Sequence, residues 1–171
     1  AHVTHLGAVA TRSRDWTERR APNAFVRAVE SSPVRCADSA AARRMVAAID
    51  AAKKRGDTLG GIYETVFFNL PPGLGSCMQW DRKLDARLAF GILSIHAQKA
   101  VEIGDGFAGA LLLGSKVHDE IFYSRSRGFY RRTNRSGGIE GGMTTGSPVV
   151  VRGAMKPIST LLKPLRSVDF K

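Results

Sequence analysis

Hydrophobic and polar positions along the chain mark out a small set of elements. His2-Val3-Thr4-His5-Leu6-Gly7 alternates with a two-residue period, which predicts a strand at the start. Over 38–55, Ala42, Met45, Val46, Ile49 and Ala52 fall on one helical face. Asp38 suits the N-cap of that helix, Lys53, Lys54 and Arg55 suit its negative end, and Gly56 suits the stop. Residues 62–70 read as a strand with Ile62, Val66, Phe68 and Leu70 on one side, Glu64 as the exception, and Pro71-Pro72-Gly73 ending it. Leu84, Leu88, Ile92 and Ile95 keep a helical stripe that predicts a second helix over 81–94, followed by a short strand over 101–103. Residues 122–136 hold Arg125, Arg127, Arg131, Arg132 and Arg135 without a helical or strand period and read as a loop. A strand returns over 147–155, where Val149-Val150-Val151 points to burial on both faces.

Composition narrows the class. With 171 residues, 43% of them hydrophobic and 24% charged, the chain can form one soluble domain with a real core. No run approaches the roughly 18 apolar residues of a membrane span, and the first residues lack a signal pattern, so the expected compartment is the cytoplasm. Cys36 and Cys77 belong to no paired motif and are expected to be reduced thiols, with neither a disulfide framework nor a zinc site. The balance of 26 Lys+Arg over 15 Asp+Glu gives a formal charge of +11, a field that favours anionic partners. Nucleic acid, a membrane surface and small phosphorylated molecules all fit that field. Arginine outnumbers lysine, which tilts the balance towards bidentate recognition of phosphate or carboxylate.

Candidate chemistry concentrates in NRSGGIEGGMTTGSPVVVRGAMKPIST, residues 134–160. Gly137, Gly138, Gly141, Gly142 and Gly146 let the backbone approach a ligand closely and expose N–H groups to an anion. Lys156 with Ser159 or Thr160 adds a cation and hydroxyl donors that could reach the same anion. The bland alternative is a mobile glycine loop with an ordinary lysine, since neither a Walker loop nor a dinucleotide fingerprint is present. Gly104-Asp105-Gly106 reads as a tight turn between Glu102 and a core Phe107. His118-Asp119-Glu120 offers an acid–base or metal cluster, but no second ligand pair at helical spacing accompanies it, so no metal is expected. Tyr123, Phe129 and Tyr130 interleave with arginine as in RNA binders; Arg127-Gly128-Phe129 starts like an RNA-recognition motif, and Tyr130-Arg131-Arg132 does not continue it.

Several segments together resemble one family. Ser32-Pro33-Val34-Arg35-Cys36, Asp57-Thr58-Leu59-Gly60-Gly61, Pro71-Pro72-Gly73-Leu74-Gly75, Lys83-Leu84-Asp85, KAVEIGDGF from Lys99, GSKVHDE from Gly114, TNRSGGIEGGMTTG from Thr133 and AMKPIST from Ala154 are similar, in this order and spacing, to the central part of chorismate synthases. The resemblance covers most of the chain and is weakest before Ser31. It implies an α+β fold in which helices pack against antiparallel sheets, part of a β-α-β sandwich, with residues 1–171 forming a single domain incomplete relative to the family. It also implies the 1,4-elimination of phosphate from 5-enolpyruvylshikimate 3-phosphate to give chorismate, with reduced FMN as cofactor. Family members assemble as tetramers, so a homo-oligomer is expected. Whether an NADPH-dependent reductase activity supplies the reduced flavin is left open by the resemblance.

Carried over by position, the family's flavin contacts fall on His96, Ala97, Gly141, Lys156, Pro157, Ile158, Ser159 and Thr160. The family usually has Pro, Gln or Asn at His96 and Gly at Ala100, so the local fit is expected to differ. The early Gly-Glu-Ser-His-Gly segment, the second catalytic histidine and the late Arg-Ser-Asp motif have no counterpart in these residues. The catalytic groups are therefore unknown, and activity is expected to need segments other than these. The rival readings are a basic RNA-binding module and a non-catalytic scaffold domain.

Overall fold

The computed structural model describes residues 1–12, 14–18 and 20–169. In chain order the elements are β1 (His2–Leu6), β2 (Val9–Ala10), α1 (Asn23–Ser31), α2 (Ser39–Arg55), β3 (Gly61–Phe67), α3 (Leu84–Leu93), β4 (Gln98–Ile103), α4 (Gly106–Ala110) and α5 (Gly114–Val117). They are followed by β5 (Ile121–Ser124), β6 (Gly128–Arg131), β7 (Ile139–Glu140), β8 (Met143–Thr144) and β9 (Val149–Met155). Five strands pair antiparallel in the order β2-β1-β3-β9-β4, while β5-β6 and β7-β8 are separate hairpins. The class is α+β, with helices against antiparallel sheet.

Strand alternation sorts the side chains to two faces. On one face, Val149 and Val151 of β9 pack with Ile139, Leu84, Leu88, Ile92, Val101 and Ile103, so α3 covers the β9–β4 side. On the same face α2 buries Ala41, Ala42 and Met45 against Val3, Leu6 and Val9. A bulge between Val3 and His5 shifts the register of β1, which lets two residues three apart point the same way. Asp38 caps α2 by accepting from the Ala40 and Ala41 amides at 2.9 and 3.0 Å, and Gly56 ends it in the left-handed conformation, in line with the expectation from sequence.

On the opposite face the pairings His2↔Glu64, Glu64↔Arg152 and Glu102↔Arg152 line up one polar row across β1, β3, β9 and β4. Glu64, the exception in its strand's pattern, is 1% exposed. Its carboxylate accepts from Arg152 Nε at 2.8 Å and from Trp16 Nε1 at 2.6 Å, so the charge is buried because it is paired. Trp16 meets Phe25 of α1 edge to face at 5.1 Å, closing this side of the sheet.

Three expectations need correction. Residues 122–136 do not form a featureless loop: Ile121–Ser124 and Gly128–Arg131 pair as the β5-β6 hairpin. Its Phe122–Tyr130 stack carries Arg132 at 4.0 Å over Phe122, and Tyr123 meets Phe129 across the strands. Cross-strand aromatic pairs, rather than a polar/apolar alternation, hold it, which is why no period is visible in the sequence. The second helix begins at Leu84 after a separate 3-10 turn at Trp80–Arg82, and it ends at Leu93, leaving Ile95 54% exposed beyond it. The first helix, α1, lies in a stretch for which the sequence pattern predicts no element.

Candidate functional site

At one end of the sheet the last pair of the β4–β9 ladder is Gln98↔Met155. One step further out, the Lys156 amide donates to the Ala97 carbonyl at 2.9 Å. Ala97 achieves this at φ 68°, a left-handed conformation that costs an L-residue about 1 kcal/mol or more. The following segment is pinned from the loop between α2 and β3. Thr58 donates its hydroxyl to the Ile158 carbonyl at 2.6 Å. Gly60 lies so close beneath that a Cβ there would meet the Met155 carbonyl at 2.5 Å and the Pro157 ring at 2.9 Å. His96, Lys156, Pro157, Ile158, Ser159 and Thr160 are all exposed and Ala97 half-buried, so a fixed backbone presents one cation and two hydroxyls to solvent.

The glycine loop is built differently from the anion cradle the sequence suggests. Asp119, 6% exposed, binds the residues just before the glycines. One carboxylate oxygen accepts from the Arg135 amide at 2.9 Å and from the Thr133 hydroxyl at 2.5 Å, and the other accepts from the Ser136 amide at 2.9 Å. Burial alone pushes the Asp119 carboxyl upward, but these donors outweigh it and hold it below the usual carboxylate range. Within His118-Asp119-Glu120, the Asp119 carboxylate is thus engaged by the loop on both oxygens. Gly104 and Gly137 touch backbone to backbone, and a Cβ on either would meet the other's main chain within 2.4 Å. These glycines are spent on internal packing.

Gly141 is the one glycine of the run that combines a flavin assignment with open space. It sits at φ 56° in the two-residue turn of the β7-β8 hairpin, and a Cβ added to it would have nothing within 4 Å. Its neighbour Gly142 accepts from the Leu84 amide at 2.8 Å, so the turn lies at the start of α3. Ala97 and Lys156 lie past the other end of that helix. α3 itself is roughly 15 Å long, so Ala97 and the 156–160 segment are brought together while Gly141 lies near the other end of that helix.

Sequence reasoning also missed the polar face. A cavity of about 350 Å³ opens there, lined by Arg14, Asp15, Trp16, Asp105, Asn134, Arg135 and Arg152 among others. Arg152 bridges Glu64 and Glu102, each at 2.8 Å, and Glu102 also accepts from the Phe107 amide at 3.0 Å, fixing the Gly104-Asp105-Gly106 turn. Phe107 itself is 75% exposed, against the expectation of a core residue. Burial, then repulsion from Asp105 and Asp119, raises the Asp15 carboxyl above its ordinary range. The sequence signals for this face are Glu64 and Arg152, charged residues that each interrupt an apolar strand. Among the described residues no group of three or more His, Cys, Asp or Glu side chains is placed to hold a metal, and no helix is long and apolar enough to cross a membrane.

The chain matches known proteins along its whole length. A family model described as chorismate synthase covers residues 1–171. A chorismate synthase of Geobacillus sp. (strain WCH70) is 54% identical over 170 residues, which are 99% of this chain and 43% of that protein. The chorismate synthase of Symbiobacterium thermophilum is 62% identical over 146 residues, 85% of this chain and 37% of the relative. A solved structure titled "Crystal Structure of Chorismate Synthase" superposes with a TM-score of 0.82 at 41% identity, covering 91% of this chain and 48% of that one. The chain therefore spans less than half the length of these relatives. Sequence motifs, antiparallel architecture and matched length agree, and the chain belongs to the chorismate synthase family.

Proposed function

We propose that this chain supplies the flavin-contacting portion of an enzyme that eliminates phosphate from 5-enolpyruvylshikimate 3-phosphate to form chorismate. Family membership supports the reaction class. The observation that carries the site is Ala97, a half-buried residue kept in a strained backbone conformation so that its carbonyl joins the Lys156 segment to the end of β4. Strain of this kind persists only where surrounding structure imposes it, and it gathers at ligand sites.

The residues fit the phosphate-bearing flavin FMN. Lys156 offers a cation, Ser159 and Thr160 offer hydroxyl donors, and Gly141 offers main chain with no side chain in the way. Pro157 and Ile158 give an apolar stretch between them, with the Ile158 carbonyl tied to Thr58, and His96 stands beside Ala97 at the same edge. Gly141 and the 156–160 segment bind different parts of the elongated cofactor. Held by these residues, reduced FMN would supply transient electron density to the breaking C–O bond to phosphate. This chain's part is to bind and orient, and the +11 field draws in a substrate with two carboxylates and a phosphate. Homo-oligomeric assembly in the cytoplasm completes the proposal.

The test is a titration of FMN under reducing conditions, with and without 5-enolpyruvylshikimate 3-phosphate, read by the flavin absorption spectrum. A perturbed spectrum that Lys156→Ala weakens by roughly tenfold is expected, the loss of one charge-assisted contact. An unperturbed flavin alongside tight binding of an unrelated RNA at moderate salt defeats it in favour of a nucleic-acid module.

A further inference from the structure

We propose that Asp119 is a positioning residue for the flavin site: its carboxylate is the resident anion of the amide nest at Arg135 and Ser136 and, with Arg131, it holds the hairpin that presents Gly141. The second half rests on the flavin reading above; the first does not.

Three observations carry the inference. The carboxylate is 6% exposed and takes three donors, two of them main-chain amides on consecutive residues at 2.9 Å. Consecutive amides turned to one point form a ready anion site, and here the protein fills it with its own side chain. The loop so fixed locks onto the sheet through Gly104 and Gly137, whose backbones leave no room for a Cβ on either. Arg131 then carries the arrangement outward. Its guanidinium donates to the Asp119 carbonyl and, through its other terminal nitrogen, to the Glu140 carboxylate at 2.8 Å. Glu140 is the residue before Gly141, so one chain of contacts runs Asp119, Arg131, Glu140, Gly141. The Arg131 side chain is 12% exposed, which shields its pair with Glu140 from solvent on one side.

The filled nest also constrains ligand chemistry. A phosphate cannot use the Arg135 and Ser136 amides without displacing Asp119, so the cofactor phosphate binds away from the nest.

The experiment uses the full-length protein with Asp119→Ala and measures thermal midpoint and FMN affinity under reducing conditions, each with formate, acetate or chloride added. Removing the carboxylate leaves two part-buried amides without their acceptor, so flavin affinity should fall by roughly tenfold or more and the midpoint should drop. Formate, which fits the vacated nest, should restore part of both, and chloride at equal ionic strength should not. Arg131→Met should weaken flavin binding while leaving the variant insensitive to formate, because it cuts the link to Glu140 and leaves the nest filled. Should Asp119→Ala fail to fold, Asp119→Asn and Arg131→Met carry the test through flavin affinity.

Wild-type flavin affinity in folded Asp119→Ala overturns the positioning role alone. Absence of any formate effect on the midpoint overturns the nest. A wild-type protein that leaves the flavin unperturbed overturns the flavin reading and the positioning role together, while formate rescue of the midpoint still establishes the nest.

Discussion

Ala97 at φ 68° is, with Arg35 and Asn69, a non-glycine residue held in the left-handed region. Replacing it by glycine should raise stability by about 0.5–1 kcal/mol, less than the full strain because glycine loses more freedom on folding. Ala97→Val should cost at least ~1 kcal/mol, since a β-branched side chain tolerates this region worst. Urea midpoints decide the matter, and a destabilised Ala97→Gly would show that the conformation is not strained. Asp119 makes a prediction about acid. Its folded pKa is depressed, so its contribution to stability is present above the unfolded value near ~3.9 and is lost as pH falls through the lower folded value. Denaturation midpoints followed below about pH 5 should fall more steeply in the parent than in Asp119→Asn, whose amide does not titrate in that window. Parallel curves would remove Asp119 from the acid response.

At the scale of elements, α2 needed little beyond its own residues: the Asp38 cap, the buried Ala42, Met45 and Ala52, and the Gly56 stop are all within one stretch of chain, although Ile49 of the expected stripe is exposed. Strand β3 needed its neighbours. Glu64 is acceptable inside the sheet only because Arg152 stands opposite it on β9 and Trp16 donates from a separate segment. Glu64→Ala should therefore cost about 3–5 kcal/mol, the penalty for leaving a buried charge poorly compensated. Combining it with Arg152→Met should cost clearly less than the sum of the single changes, and additivity within ~0.5 kcal/mol would sink the claim that the two act as one unit. The β5-β6 hairpin was illegible for a related reason. Its order comes from Phe122, Tyr123, Phe129 and Tyr130 meeting across strands, and arginines interrupt the apolar positions so that no single-strand period survives.

At the scale of the whole molecule, charge is the dominant feature. If the +11 balance helps bind a cofactor phosphate, FMN affinity should decline as sodium chloride rises, whereas riboflavin, which lacks the phosphate, should bind more weakly and nearly independently of salt. Equal salt slopes for the two flavins would exclude a phosphate contact by Lys156 and its neighbours. The proposed site has contacts near both ends of α3, Gly142 at its start and Ala97 just past its end.

Sequence alone determined the helix over Ser39–Arg55, the strands containing Val3, Val66 and Val151, and the family, because caps, periods and motif strings are written in residues a few positions apart. It also marked 134–160 as the place to look. Only the tertiary structure decided how each part of that stretch is held. Asp119 reaches the loop from 16 residues away, Arg152 meets Glu64 across 88, and Thr58 pins Ile158 across 100. Such contacts depend on how strands pair and how the loops between them are held, and a one-residue slip of β3 or β9 would turn Glu64 or Arg152 to the other face. The same glycine-rich string therefore divides into a nest filled by the protein's own carboxylate and an open turn at Gly141, a division set by packing between distant segments.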